Sequence, residues 1–363
     1  MMLCDGRLST LRSKLRDAQV DAFLVTHPVN VAYITGFEGV FDSEDAHAAV
    51  VSSDAAVLYT DSRYFDSALR ASEGTPWQVV LAKRDLFVTV CEDLAQEGRS
   101  VLALETSVPY GRFKFISEQW GGNVAALDQL VERIRKVKEA DELRRILAAQ
   151  QLTDRTFDHI LDWLRPGVTE LEIALELEFF MRREGSEGVA FPPIVASGPN
   201  SAFPHARVTV RELTQGDFVK LDFGAVVEGY CADMTRTVVL GAASERQREI
   251  YRAVLDANLA GIAAIAPGVP GRSVDRVARS VIEDRGFGDR FGHGLGHGVG
   301  MQVHELPSMG PRGSESLLVG NVVTVEPGVY IPGFGGVRIE DLVVVEEHGA
   351  RVLTGSAKEL LEL

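Results

Sequence analysis

Apolar positions open the chain at helical spacing, Leu8, Leu11 and Leu15. They then fuse into the run Ala22-Phe23-Leu24-Val25-Thr26, which reads as a buried strand. Two further runs, Ala48–Ser52 and Ala55–Thr60, are split by Ser53-Asp54 and predict a hairpin. A helix is expected over Ser62–Ala71, followed by strands at Trp77–Ala82 and Val101–Glu105 with a helix between them. This alternation predicts an α/β domain over residues 1–133, with no cluster of catalytic groups. From Val131 the pattern turns dense in both charge signs and runs on as a long helix towards Trp163. It marks a junction and opens a second domain, residues 138–363.

The second domain repeats itself. Pro166-Gly167-Val168 recurs as Pro267-Gly268-Val269, 101 positions later, and each copy opens a helical pattern ending near a glycine, Gly185 or Gly286. The segment Gly216–Gly224 then resembles Gly320–Gly328 at an offset of 104. Two matching segments in the same order predict two half-domains that share a sheet.

The repeat aligns Asp222 with Glu326, each a lone acid in an otherwise apolar run. A buried acid needs a partner, a metal or solvent. Strand alternation puts Lys220 and Asp222 on one face and Val219, Leu221 and Phe223 on the other. Each strand then returns with a second acid, Asp233 or Glu340. If the halves face one another, four carboxylates converge, and two divalent cations would neutralise them. Between the hairpins lies a glycine-rich loop carrying His293, His297 and His304. Its alternate glycines oppose a helix, and it lacks the strand–turn–helix setting of a dinucleotide fingerprint. It is read as a loop that brings imidazole to a metal. His205 lies on a turn-rich segment just before the Asp222 hairpin.

Composition narrows the field. The chain has 363 residues and a formal charge of −15, which disfavours nucleic acid and anionic membrane surfaces as partners. Three cysteines, Cys4, Cys91 and Cys231, form no CxxC pair. With no secretory or membrane-spanning pattern, the expectation is a soluble cytoplasmic protein.

The segments LDFGAVVEGYCADMTRT, GHGLGHGVGMQVHE, VEPGVYI and GVRIED resemble the pita-bread metallopeptidases, the superfamily of methionine aminopeptidase, prolidase, aminopeptidase P and creatinase. Asn30–Gly36 and Tyr59–Tyr64 resemble the N-terminal domain of the creatinase/prolidase type. The resemblance implies an α/β N-terminal domain followed by a pseudo-two-fold α+β pita-bread catalytic domain. It implies five metal ligands: Asp222 on one ion, Asp233 and Glu340 bridging two, and His297 with Glu326 on the second. The ions would be divalent, with Mn²⁺ expected and Co²⁺, Fe²⁺ or Zn²⁺ as alternatives. Together they would activate the water that attacks the carbonyl before proline.

By the same resemblance, Glu326 accepts a proton, His205 and His304 steady the oxyanion or the proline end, and Arg338 orients Glu340 or reaches substrate. Phe191 and Val303 would line the proline pocket, and Tyr230 would contact substrate near its free amine. A homodimer is implied as well. Ser308 stands where some prolidases carry an arginine that can anchor the proline carboxylate. On that ground the reading favours an aminopeptidase P acting on the N-terminal Xaa-Pro bond of peptides, with prolidase as the alternative. A non-catalytic peptide-binding module is the third possibility.

Overall fold

The structure, a computed structural model, describes residues 3–37, 39–41 and 46–363, and divides into two compact units, Met1–Arg135 and Lys136–Leu363. The first unit runs α1 (Leu3–Asp17), β1 (Ala22–Val25), α2 (Pro28–Thr35), β2 (His47–Ser52), β3 (Ala56–Thr60), α3 (Phe65–Ala71) and β4 (Gln78–Leu81). It continues with α4 (Leu86–Gln96), β5 (Val101–Glu105), α5 (Tyr110–Trp120), β6 (Asn123–Leu127) and α6 (Glu132–Arg135). Its strands form one mixed sheet in the order β4-β3-β2-β1-β5-β6. The β2–β3 hairpin is antiparallel, while β1, β5 and β6 run parallel. Leu8, Leu11 and Leu15 form the buried face of α1.

Two local expectations change, and one helix lies where none was expected. The helix expected from Ser62 begins at Phe65, because Asp61 closes a turn ahead of it and accepts from the Arg63 N–H at 2.8 Å. The short helix α2 is mostly apolar and buries Asn30 and Thr35 along with its apolar residues, so periodicity does not reveal it. Pro28 in its first turn and Gly36 at φ 73° delimit it. The charge-rich stretch is also not one helix. It breaks after Arg135 and restarts behind Glu139, which with Glu142 forms a capping box.

The second unit contains α7 (Ala140–Leu161), α8 (Glu170–Arg183), β7 (Gly188–Val189), β8 (Ile194–Ser197) and a 3₁₀ turn over Gly198–Ala202. Then come β9 (Phe218–Phe223), β10 (Ala225–Val227), β11 (Tyr230–Cys231), β12 (Met234–Val239), α9 (Glu245–Ala263) and α10 (Gly271–Asp284). The chain ends with β13 (Gly296–Gly298), β14 (Glu305–Met309), β15 (Val322–Val325), β16 (Gly328–Ile331), β17 (Gly335–Arg338), β18 (Asp341–Glu346) and β19 (Gly349–Val352). The sheets run β12-β9-β8 and β14-β13-β15-β18-β19, with β11-β10-β7 and β16-β17 as smaller ribbons.

The repeat is visible residue by residue. The N–H of Leu213 donates to the carbonyl of Val168 at 2.8 Å, and that of Leu317 to Val269 at 2.9 Å. The repeated glycines share a left-handed backbone: Gly167 and Gly268 at φ 90° and 86°, Gly216 and Gly320 at 87° and 86°. Only a residue without Cβ adopts this conformation at little cost, so glycine persists in both copies.

Each half lays two helices on its strands. Phe157, Ile173 and Leu177 pack under Val219, Leu221 and Phe223, while Val254, Val274 and Ala278 pack under Val323, Val325 and Val343. Burial of each large apolar side chain contributes about 1.5–3 kcal/mol. With one face of β9 committed to the helices, alternation turns Lys220 and Asp222 to the other. Main-chain and side-chain bonds join the halves there: the Glu340 N–H donates to the Thr235 carbonyl at 3.1 Å, and Thr237 Oγ1 donates to the Arg338 carbonyl at 3.0 Å.

Candidate metal centre

Asp222 ends the polar face of β9, Asp233 and Glu340 directly precede β12 and β18, and Glu326 directly follows β15. All four line one cavity of about 610 Å³, together with Phe191, His205, His293, His297, His304 and Arg338. One carboxylate oxygen each of Asp233 and Glu340 and one ring nitrogen of His297 lie within 4.8 Å of one another. Asp222 and Glu326 flank this trio. Asp222 is ion-paired with Arg338, and Glu326 Oε1 lies 3.3 Å from His297 Nε2.

His297 sits on a strand, not in the loop expected from the glycines. Those glycines are there for close pairing: a Cβ on Gly296 would stand 2.2 Å from the Thr324 carbonyl, and one on Gly298 would stand 2.1 Å from that of Leu306. The His297 Nδ1 faces the Gly298 carbonyl at 3.1 Å. A carbonyl only accepts, so Nδ1 carries a proton and Nε2 is the nitrogen that faces the acids: without a metal it is protonated and donates to Glu326, and a metal would take the place of that proton.

The profile of metallopeptidase family M24 matches residues 144–347, and that of the creatinase/prolidase N-terminal domain matches residues 7–137. The chain belongs to metallopeptidase family M24. Within the family it is similar to the Xaa-Pro dipeptidase of Pyrococcus furiosus, 34% identical over 98% of this chain and 99% of that one. Among solved structures it resembles an Xaa-Pro dipeptidase from Bacillus anthracis at a TM-score of 0.94 and 38% identity, covering 99% of this chain and all of that one. It also resembles an X-Pro aminopeptidase from Thermotoga maritima at a TM-score of 0.88 and 35% identity, over 98% and 99% of the two chains. This M24 chain is therefore a hydrolase of the Xaa-Pro peptidase family, with the pita-bread fold in its catalytic part.

The donor set fits the divalent ions that family M24 implies. Glu340 Oε1 is buried without a hydrogen-bond partner, which is costly unless something positive meets it. Burial, and then the charges of Glu326 and Asp222, push the Glu340 carboxyl well above its usual range. Burial, and then Glu340, Asp222 and Glu326, do the same to Asp233. Glu326 behaves differently. Burial would raise it, but the hydrogen bond and charge of His297, with Arg338 and His293, hold it at about 2.

These opposed shifts give a pH dependence. Folding raises the affinity of Asp233 and Glu340 for protons, so the metal-free chain is favoured below their unfolded values near 4. That stability is lost as pH rises through the raised folded values. Chelation is therefore expected to lower Tm more at pH 8 than at pH 5. Equal shifts at the two pH values would contradict the cluster.

Support beneath the acids comes from residues that sequence reading passed over. Thr235 faces Asp222 in register across β9 and β12. Its hydroxyl donates to Glu340 Oε2 at 2.6 Å and accepts from Arg338 Nε at 2.9 Å. Arg338 thus touches Asp222 directly and reaches Glu340 through Thr235. Tyr330 accepts from Arg338 at 3.2 Å and lies 3.0 Å from His293 Nε2. The signal for Thr235 was a hydroxyl inside a fully buried strand opposite an acid. Lys220 and Arg338 are the buried cations of the site. Burial and Arg338 push the Lys220 amine down, while Asp222 opposes them.

Two expected substrate contacts stand elsewhere. Tyr230 is 2% exposed, packs with Ile146, Val299 and Leu342, and donates from its hydroxyl to Glu142 at 3.0 Å. Val303 packs against the same cluster, and neither residue lines the cavity. Apolar neighbours draw Tyr230 into the core, while Val303 is half-buried against the edge of that cluster.

Proposed function

We propose that this hydrolase is a prolidase: it cleaves Xaa-Pro dipeptides with two divalent ions, manganese by preference, held by Asp222, Asp233, His297, Glu326 and Glu340. The observation that carries the reading is one cavity in which these donors meet an apolar wall, Phe191, Pro192 and Ile194, and a guanidinium, Arg312. A dipeptide offers a proline ring to the first and a free carboxylate to the second. Ser308 leaves no anchor at its own position, but Arg312, four residues on, lines the same cavity and restores one. The Xaa-Pro dipeptidase relatives support the same choice over aminopeptidase P.

Metal ions bound by the acids supply Lewis-acid activation of water and of the scissile carbonyl. The chain's own residues do the rest. Glu326, which lines the cavity, accepts a proton and can return it to the departing amine. His304, its pKa lowered by desolvation and by the neighbouring His297, is a neutral donor for developing negative charge, and His205 faces the same cavity. Arg338, buried with Asp222, positions that acid.

The test compares Xaa-Pro, Xaa-Pro-amide and Xaa-Pro-Xaa peptides with manganese present. The free dipeptide is expected to be cleaved at least about tenfold more efficiently than the others. Arg312→Ala is expected to raise KM for the dipeptide by about tenfold and leave the amide almost unchanged. Faster cleavage of the tripeptide would favour the second reading, aminopeptidase P, which the Thermotoga maritima similarity supports.

Residues 1–133 and 138–363 are read as the N-terminal and catalytic domains of a cytoplasmic homodimer. The buried thiols of Cys91 and Cys231 support the reading of a reducing compartment. No helix of the described residues is long and apolar enough to cross a membrane. Leu171, Leu175 and Phe179 are exposed along one face of α8 and offer an apolar surface for pairing. Light scattering on the purified chain checks the dimer.

A further inference from the structure

The segment that brings His205 to the cavity is held from inside the protein. The side chain of Phe203 is 62% exposed and His205 is exposed too, while the carbonyls just before His205 turn inward. Those carbonyls converge on Lys220, which is fully buried on β9. Its Nζ donates to the carbonyls of Phe203 at 2.6 Å, Pro204 at 3.2 Å and Ser201 at 3.3 Å. An ammonium has three N–H donors, and one loop supplies three acceptors for them. The Tyr330 ring lies 5.1 Å from the same nitrogen. Arg338 Nη1 adds a bond to the Pro204 carbonyl at 3.1 Å, and the Gly336 N–H donates to Ser201 Oγ at 2.9 Å. A Cβ on Gly336 would meet the Ser201 carbonyl at 2.4 Å, so β17 closes directly on the loop.

We propose that Lys220 is a positioning residue for the reaction: by gathering the carbonyls of Ser201, Phe203 and Pro204 it sets where His205 stands in the cavity. The proposal rests on the Xaa-Pro hydrolase reading above. Lys220 shares a strand face with Asp222, yet its bonds run to the loop. Its removal therefore acts first on the His205 side of the cavity, while Asp222 keeps its own ion-pair partner, Arg338. Without the ammonium, three inward carbonyls lose a donor and the segment must turn to find others.

The test is a double-mutant cycle in the manganese-loaded enzyme on an Xaa-Pro dipeptide, using Lys220→Met, His205→Ala and the pair. Lys220→Met is expected to lower kcat about tenfold or more, with KM changed less than about twofold and metal content unchanged. In the His205→Ala background it should lower kcat no further. Additive losses, or loss of metal in proportion to activity, would overturn the proposal. Lys220→Gln, which keeps an N–H donor pair, carries the same cycle if the methionine variant does not fold. Imidazole NMR signals of the zinc-loaded enzyme give a readout without turnover. The His205 signal, assigned from His205→Ala, should move in Lys220→Met, and an unmoved signal would refute positioning. If the wild type fails to cleave any Xaa-Pro peptide, the hydrolase reading falls, and the NMR comparison alone decides the role of Lys220.

Discussion

Asp233→Ala is expected to lower kcat/KM by roughly a thousandfold or more while the chain remains folded. Asp233 is 4% exposed and belongs to the trio of closely spaced donors with Glu340 and His297. Its carboxylate lies 3.6 Å from His297 Nε2 and is crowded by the charges of Glu340, Asp222 and Glu326. Such a group serves the protein only when cations neutralise the cluster, because burial and like charges otherwise force a proton onto it. Truncation removes a ligand and, in the metal-free chain, also removes a source of repulsion. Two measurements should therefore move in opposite directions. Metal content and activity fall, while Tm of the chelated variant at pH 8 is at least that of the chelated wild type. A variant that kept its full metal content and lost less than tenfold in activity would exclude Asp233 as a ligand.

The acids were legible in the sequence because each breaks an apolar run, and a buried lone acid needs a partner. The repeat doubled that signal by placing Asp222 and Glu326 at matching points, and the structure sets all four acids around one cavity. What escaped was whatever depends on the path between elements. Ser308 and Arg312 differ by four positions, yet both line the cavity, so the absence of an arginine at 308 did not mean the absence of a cation. Tyr230 lies in a two-residue strand, where alternation is too short to say which face is buried. Thr235 and Lys220 lie in strands buried throughout, so pattern alone cannot separate a core position from a support beneath the acids. The glycines around His297 suggested a loop because their crowding comes from strands distant in sequence, Glu305–Met309 and Val322–Val325.

The two neighbouring histidines are expected to separate cleanly. Their rings are 4.2 Å apart, but they face different partners. His297 turns Nε2 to Glu326 and Asp233 and anchors Nδ1 on the Gly298 carbonyl, so it is built to donate a lone pair. His304 is exposed at the cavity wall, and desolvation and the imidazole of His297 keep its pKa low. His297→Ala should lose metal and lower kcat by about a hundredfold or more, because ligand and charge balance go together. It also frees Glu326, whose carboxyl no longer has the His297 bond that holds it at about 2. In the chelated variant the Glu326 carboxyl should accordingly titrate at a higher pH than in the chelated wild type. His304→Ala should keep its metal, lower kcat by roughly ten- to a hundredfold, and leave the Glu326 titration of the chelated chain in place. Elemental analysis and pH profiles of both variants decide the assignment. If His304→Ala empties the site while His297→Ala stays loaded, the roles are reversed, and the imidazole facing the acids serves the substrate instead.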